Sequence, residues 1–179
     1  MPASLCQLQP ENIVPFMMKK LEITLRYLEV EDIRDLPDDE QELVKAAREM
    51  TGNAYAPYSS FNVGAAILLQ NGQIVRGSNQ ENGAYPSGLC AERVAAFAAS
   101  SMFPRVAMTK IAVSASSPEF TLKAPVSPCG ACRQVLLEYE AAQKLPLKIL
   151  LSREDGKIII VEKIRDMLPF SFIGSELKK

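Results

Sequence analysis

Three cysteines and one glutamate carry the chemistry open to this sequence. Cys90 and Glu92 stand two apart in Cys90-Ala91-Glu92, and two more cysteines close the run Pro128-Cys129-Gly130-Ala131-Cys132. Three thiolates can hold a zinc ion and leave its fourth tetrahedral position open. A water in that position has its pKa lowered to about 7, which makes hydroxide available at neutral pH. Glu92 is not needed as a ligand and is close enough to move protons for such a water. Three ligands with a separate carboxylate beside them describe a hydrolytic centre better than a structural knot. Two duller readings exist. The Cys129-x-x-Cys132 pair could be a thiol redox couple, or half of a structural zinc site. Neither uses Cys90-Ala91-Glu92, and a structural site needs four closed ligands where three are offered.

The sequence holds no histidine among its 179 residues. That removes Ser-His-Asp triads, Cys-His nucleophiles and H-E-x-x-H metalloproteases together. Acid–base work near pH 7 must then fall to a carboxylate or to a metal-activated water. Net charge is −1, with no cluster of Lys or Arg. A polynucleotide partner calls for a basic stripe, because phosphate contacts dominate that affinity. A small neutral substrate fits this chain better. No apolar run approaches the roughly 20 residues that span a bilayer, and the N-terminus lacks a signal-peptide core. Four cysteines in an unexported chain point to metal or redox chemistry before disulfides, and to the cytoplasm.

The elements that must position these residues follow from periodicity. Residues 1–17 show no sustained period and read as a loosely ordered tail, with Cys6 a spare thiol and Met18 a possible alternative start. Residues 21–30 alternate in part, as an edge strand does. A helix is expected over 38–50, with Leu43, Val44, Ala47 and Met50 on one face. Strands at 61–69 and 73–78 flank a hairpin turn at Asn71-Gly72, and a loop over 79–89 follows. From Cys90 to Ala99 a helix is expected that is apolar or small nearly all round, as in a buried helix. Its only charges, Glu92 and Arg93, are costly to bury unless paired or working, so both become candidate site residues.

A strand at 111–115, a helix from Cys129 to Gln143, strands at 147–151 and 158–161, and a short helix at 162–167 complete the chain. The order predicts a mixed sheet with helices on both faces, a three-layer α/β architecture in one domain. Both cysteine runs fall at helix N-termini, where the dipole and free N–H groups favour thiolate.

Three further runs extend the pattern: Tyr58-Ser59-Ser60-Phe61-Asn62-Val63-Gly64-Ala65-Ala66, Gly77-Ser78-Asn79-Gln80-Glu81-Asn82, and Cys129-Gly130-Ala131-Cys132-Arg133-Gln134. Over roughly residues 55–172 the chain resembles the cytidine deaminases of the small, all-cysteine zinc type. The resemblance implies a three-layer α/β/α fold with a mixed five-stranded sheet in residues 37–179, residues 1–36 being an extension. It implies one zinc per chain on Cys90, Cys129 and Cys132, with Glu92 as the general acid and base. Three thiolates and a hydroxide leave the zinc centre at −2, and Arg93 is placed to offset that charge by hydrogen-bonding to sulfur.

The resemblance also assigns substrate contacts. Phe61 packs against the pyrimidine, Asn79 and Glu81 hold the ribose hydroxyl, and Ala91 and the Ser127 carbonyl meet the base and its amine. Tyr85 joins the pocket of its own or a neighbouring subunit, and Phe172 reaches a neighbour's pocket in a homotetramer. The implied reaction is hydrolytic deamination of cytidine and 2′-deoxycytidine to the uridines with release of ammonia, a step of pyrimidine salvage. Gln80 departs from the family, which has an aliphatic residue there, and leaves the Asn79–Glu81 pair intact. Two rival readings stand beside this one. One is a deaminase of a cytosine-containing antibiotic such as blasticidin S, against which a ribose-gripping pair speaks. The other is a non-catalytic zinc or thiol binding module.

Overall fold

Alternation along the strands sets up two separate cores. In the computed structural model, which describes residues 19–177 apart from residue 155, Ala65, Ile67, Leu69, Ile111, Val113, Ile149 and Leu151 turn to one face of the sheet. Ala66, Ala112, Leu150, Ile158 and Ile160 turn to the other. This is the period of two inherent in a pleated strand, here with both faces buried. The strands are β1 (Leu28–Val30), β2 (Asn62–Leu69), β3 (Ile74–Ser78), β4 (Met108–Ser116), β5 (Lys148–Ser152) and β6 (Ile158–Val161). They lie in the order β1-β6-β5-β4-β2-β3. Only β4 and β5 run parallel.

Helix α1 (Asp38–Thr51) covers the second core with Leu43, Val44, Ala46 and Ala47. Helices α2 (Ala91–Met102) and α3 (Gly130–Gln143) cover the first with Ala91, Ala95, Ala96, Ala99, Leu136 and Leu137. The result is the expected three-layer α/β/α arrangement. Two glycines set how closely the layers approach. A Cβ on Gly64 would stand 2.1 Å from the Ala47 carbonyl oxygen of α1. One on Gly77 would stand 2.6 Å from the Ala95 nitrogen and 2.7 Å from the Ala91 oxygen, which seats the first turns of α2 on β3. Among the described residues no helix is long and apolar enough to cross a membrane.

Four expectations need correction. The sheet has six strands, not five. The sixth is β1, pairing Leu28 with Ile160 and Val30 with Ile158. It satisfies the backbone groups that β6 would otherwise present as an open edge. The strand expected over 21–30 is paired only over its last three residues, because β6 has four residues and the chain then turns away. The helix expected at 162–167 is a single 3-10 turn, Ile164–Met167. Finally, α2 is not enclosed on all sides, since Phe97 is 43% exposed and Met102 at its C-terminal end is exposed as well. The expectations for residues 1–17, including Cys6, lie outside the described residues.

Candidate active site

Cys90 and Cys129 are the residues immediately before α2 and α3, and Cys132 lies in the first turn of α3. Two helix N-termini thus converge on one point, each bringing unpaired N–H groups and the positive end of its dipole. The Cys90 sulfur lies 4.0 Å from that of Cys129, and the Cys129 and Cys132 sulfurs are 3.6 Å apart. All three fall within 4.8 Å of one another, the one such cluster of possible ligands among the described residues. Three sulfurs tetrahedrally placed at about 2.3 Å from a zinc stand roughly 3.8 Å apart, close to the two separations observed, so the donor set suits that ion.

The electrostatics of the cluster favour thiolate at Cys90. The Cys90 thiol is pushed down to about 5, first by the hydrogen bond from Cys132 and then, against burial, by Arg93 and Cys129. Cys132 is pushed far up in turn, chiefly because its proton is shared with Cys90. Arg93 Nη2 lies 3.8 Å from the Cys90 sulfur and 3.5 Å from the Gly88 carbonyl. That sulfur holds the guanidinium above its ordinary pKa. Glu92 is buried, and burial raises its carboxyl pKa, helped by the negative charge on Cys90.

A cavity of about 610 Å³ opens over this centre. Its lining joins Glu92, Cys90, Cys129 and Arg93 with the apolar Phe61, Val63 and Val126 and the polar Asn79, Glu81 and Ser127. An apolar slot with a few convergent polar groups is the usual form of a small-molecule site.

Residues 37–147 match the family model of the cytidine and deoxycytidylate deaminase zinc-binding region. The chain is 40% identical to a cytidine deaminase of Halalkalibacterium halodurans over 139 residues, 78% of this chain and 98% of that one. It is 45% identical to one from Sporosarcina psychrophila over 139 residues, 78% of this chain and 95% of that one. The crystal structure of a cytidine deaminase from Burkholderia pseudomallei superposes with a TM-score of 0.65 at 37% identity, covering 73% of this chain and 97% of that one. The chain belongs to the cytidine and deoxycytidylate deaminase family.

The deaminase fold brings most of the expected residues together. Phe61, Asn79, Glu81, Ser127, Arg93 and Tyr85 all line the one cavity, with Tyr85 at its mouth and edge-on to Tyr58 at 6.3 Å. Ala91 is fully buried behind Cys90 and does not reach the cavity with its side chain. Phe172 is not among the residues lining its own chain's cavity; it is 55% exposed, and its carbonyl accepts a bond from Gln134 Nε2 at 2.9 Å.

Several positioning residues escaped the sequence reading. The Glu81 carboxylate accepts from the Ser59 hydroxyl and from the Tyr58 and Ser59 amides. The Ser59 hydroxyl first, then the Tyr58 amide, holds its pKa below the usual range. Arg133 donates to the Pro128 carbonyl at 2.8 Å and to the Met167 carbonyl at 3.1 Å, pinning the turn that presents Cys129. Phe120 stacks on Phe61 with ring centroids 6.2 Å apart and planes 8° from parallel. Arg133 and Ser59 stood inside the quoted motifs, but their partners are 34 and 22 residues away and no local pattern joins them.

Proposed function

We propose that the protein is a zinc-dependent cytidine deaminase that converts cytidine and 2′-deoxycytidine, with one water, to the uridines and ammonia. The observation that carries this is the convergence of three cysteine sulfurs with the buried, non-ligating Glu92 at the floor of a slot of nucleoside size. Zinc held by Cys90, Cys129 and Cys132 supplies an activated water, as in the zinc deaminases. Phe61 lies along the pyrimidine, and the Ser127 carbonyl orients the exocyclic amine. Glu92 takes a proton from the attacking water and delivers it to ring N3, then passes one to the departing amine. A carboxyl whose pKa is raised by burial is suited to being protonated and deprotonated in one cycle. Asn79 and Glu81 hold the ribose hydroxyl at the polar side. Arg93 offsets the charge of three thiolates from its place beside Cys90.

The finer reading is a homotetramer of pyrimidine salvage in the cytoplasm, with residues 37–179 the deaminase domain and 1–36 an extension. Exposed Phe97 and Met102 on α2, and Phe170 and Phe172 beyond the last 3-10 turn of the core, support assembly. Phe172 then completes a neighbour's cavity. Metal analysis together with an ultraviolet deamination assay on cytidine, 2′-deoxycytidine and blasticidin S tests the whole reading. About one zinc per chain with turnover of the nucleosides is expected. Turnover of blasticidin S alone would replace the substrate, and a metal-loaded but inert protein would make the site a binding module.

A further inference from the structure

Residues 21–27 carry an apolar stripe that the described chain leaves open. Leu21, Ile23, Leu25 and Tyr27 are 76%, 63%, 45% and 53% exposed. They alternate with Glu22, Thr24 and Arg26, which is the period of a strand. The segment leads directly into β1, where the odd positions of the stripe continue as Glu29 while Leu28 and Val30 take the other face; β1 pairs with β6 along one edge and has no other neighbour in the sheet. β6 ends at Val161, so residues before Leu28 find no partner strand among the described residues. An alternating apolar strand at an open sheet edge is a template for another strand.

The side chains select which strand. Laid antiparallel on a second copy of itself about Thr24, the segment places Leu21 opposite Tyr27, Ile23 opposite Leu25 and Glu22 opposite Arg26. Each of these pairs occurs twice, so one face of the ribbon is wholly apolar and the other carries two opposite-charge pairs. Neighbouring registers lose this match. Pairing about Ile23 sets Arg26 against Lys20, and pairing about Leu25 sets Glu22 against Leu28. A shift by one residue sets Leu21 against Arg26 and Glu22 against Leu25 in one direction, and Glu22 against Tyr27 and Ile23 against Arg26 in the other.

We propose that residues 21–27 of two copies of this chain pair as an antiparallel ribbon centred on Thr24. The contact is isologous, so the same segment serves as donor and acceptor of the interface. It joins two deaminase sheets through the segments that lead into their β1 strands and gives residues 21–27 an assembly role that is independent of the faces around the active site.

The test uses the full-length, zinc-loaded chain carrying Cys6→Ser and Thr24→Cys. Mild oxidation should give a disulfide between the two residues at position 24, seen on a non-reducing gel and mapped by mass spectrometry. Adding Glu22→Arg alone, or Arg26→Glu alone, puts two like-charge pairs face to face and should lower the cross-linked yield at least about fivefold. Mixing those two variants restores both opposite-charge pairs and should return the yield to that of the parent, in mixed dimers. The cross-link reports this contact whatever assembly the other faces form. An absent cross-link in the parent, as would follow if residues 1–18 or another protein cover the stripe, overturns the proposal. So does a yield that the single variants do not lower, or that mixing does not restore.

Discussion

Both ends of the Asn79 side chain are tied to the backbone, one at Phe61 and one at Val63. Asn79 Nδ2 donates to the Phe61 carbonyl at 2.8 Å, and Asn79 Oδ1 accepts from the Val63 amide at 2.7 Å. The residue expected to hold ribose therefore also sets the position of the aromatic wall on which the pyrimidine is to lie. Asn79→Ala removes a partner from two backbone groups and should cost about 1–3 kcal/mol in urea unfolding. KM for cytidine should rise in the same variant. A raised KM with unchanged stability would mean that the clamp to Phe61 contributes nothing.

Glu92→Gln should stay folded and zinc-loaded, and turnover should fall at least about 10²–10⁴-fold, the range of general acid–base catalysis. Cys90→Ala should lose both zinc and activity. Metal content by mass spectrometry and the deamination rate, measured on the same samples, separate the two roles.

Glu81 should remain ionised throughout the neutral range, because the Ser59 hydroxyl and the Tyr58 amide lower its pKa. A carboxylate with a depressed folded pKa contributes stability above its unfolded pKa, and that contribution is lost as pH falls through the folded value. Ser59→Ala should move the Glu81 titration upward toward the ordinary carboxylate range, as read from the carboxyl carbon shift by NMR. It should also raise the pH at which nucleoside binding begins to weaken on acidification. An unmoved titration would remove Ser59 from the site.

Buried Glu40 lies 2.8 Å from Lys110 Nζ and 3.1 Å from Lys148 Nζ, linking α1 to β4 and β5. Glu40→Ala leaves two partly covered ammonium groups without that partner and should destabilise the fold by about 2–4 kcal/mol. Lys110 keeps Asp39 at 2.6 Å and Lys148 keeps Glu162 at 3.3 Å, which holds the loss below that of an isolated pair. Denaturant unfolding with unchanged kcat per folded molecule is the expected pattern.

If Phe172 serves a neighbour's cavity, Glu92→Gln and Phe172→Ala chains should each be poor enzymes alone. Co-expressed, they should form hybrids in which an intact Glu92 meets an intact Phe172, and activity should exceed that of either. Hybrids shown to have formed but still inactive would confine Phe172 to its own chain.

Residue type and local spacing pointed to the metal chemistry. With no histidine, three cysteines in two short runs and a glutamate two residues after one of them, a thiolate zinc centre with a separate proton carrier was the reading that used all four residues, where a redox pair or a structural site used only some, and the resemblance to the cytidine deaminases supplied the roles. Cys90 and Cys129 preceding helices was legible too, since helix starts depend on a few adjacent residues. The order of strands and helices announced a mixed sheet with helices on both faces, and with it the three layers. What stayed hidden depends on contacts between residues far apart in the chain. Ser59 meets Glu81 across two loops, Arg133 reaches Met167, and Phe120 backs Phe61 only because β2 and β4 are neighbours. The sixth strand was missed as part of the core sheet for the same reason. Whether residues 28–30 pair depends on the free edge of β6, which no window around residue 28 contains. The exposure of Phe97 likewise follows from which side of α2 the sheet occupies, and composition alone made that helix look buried all round.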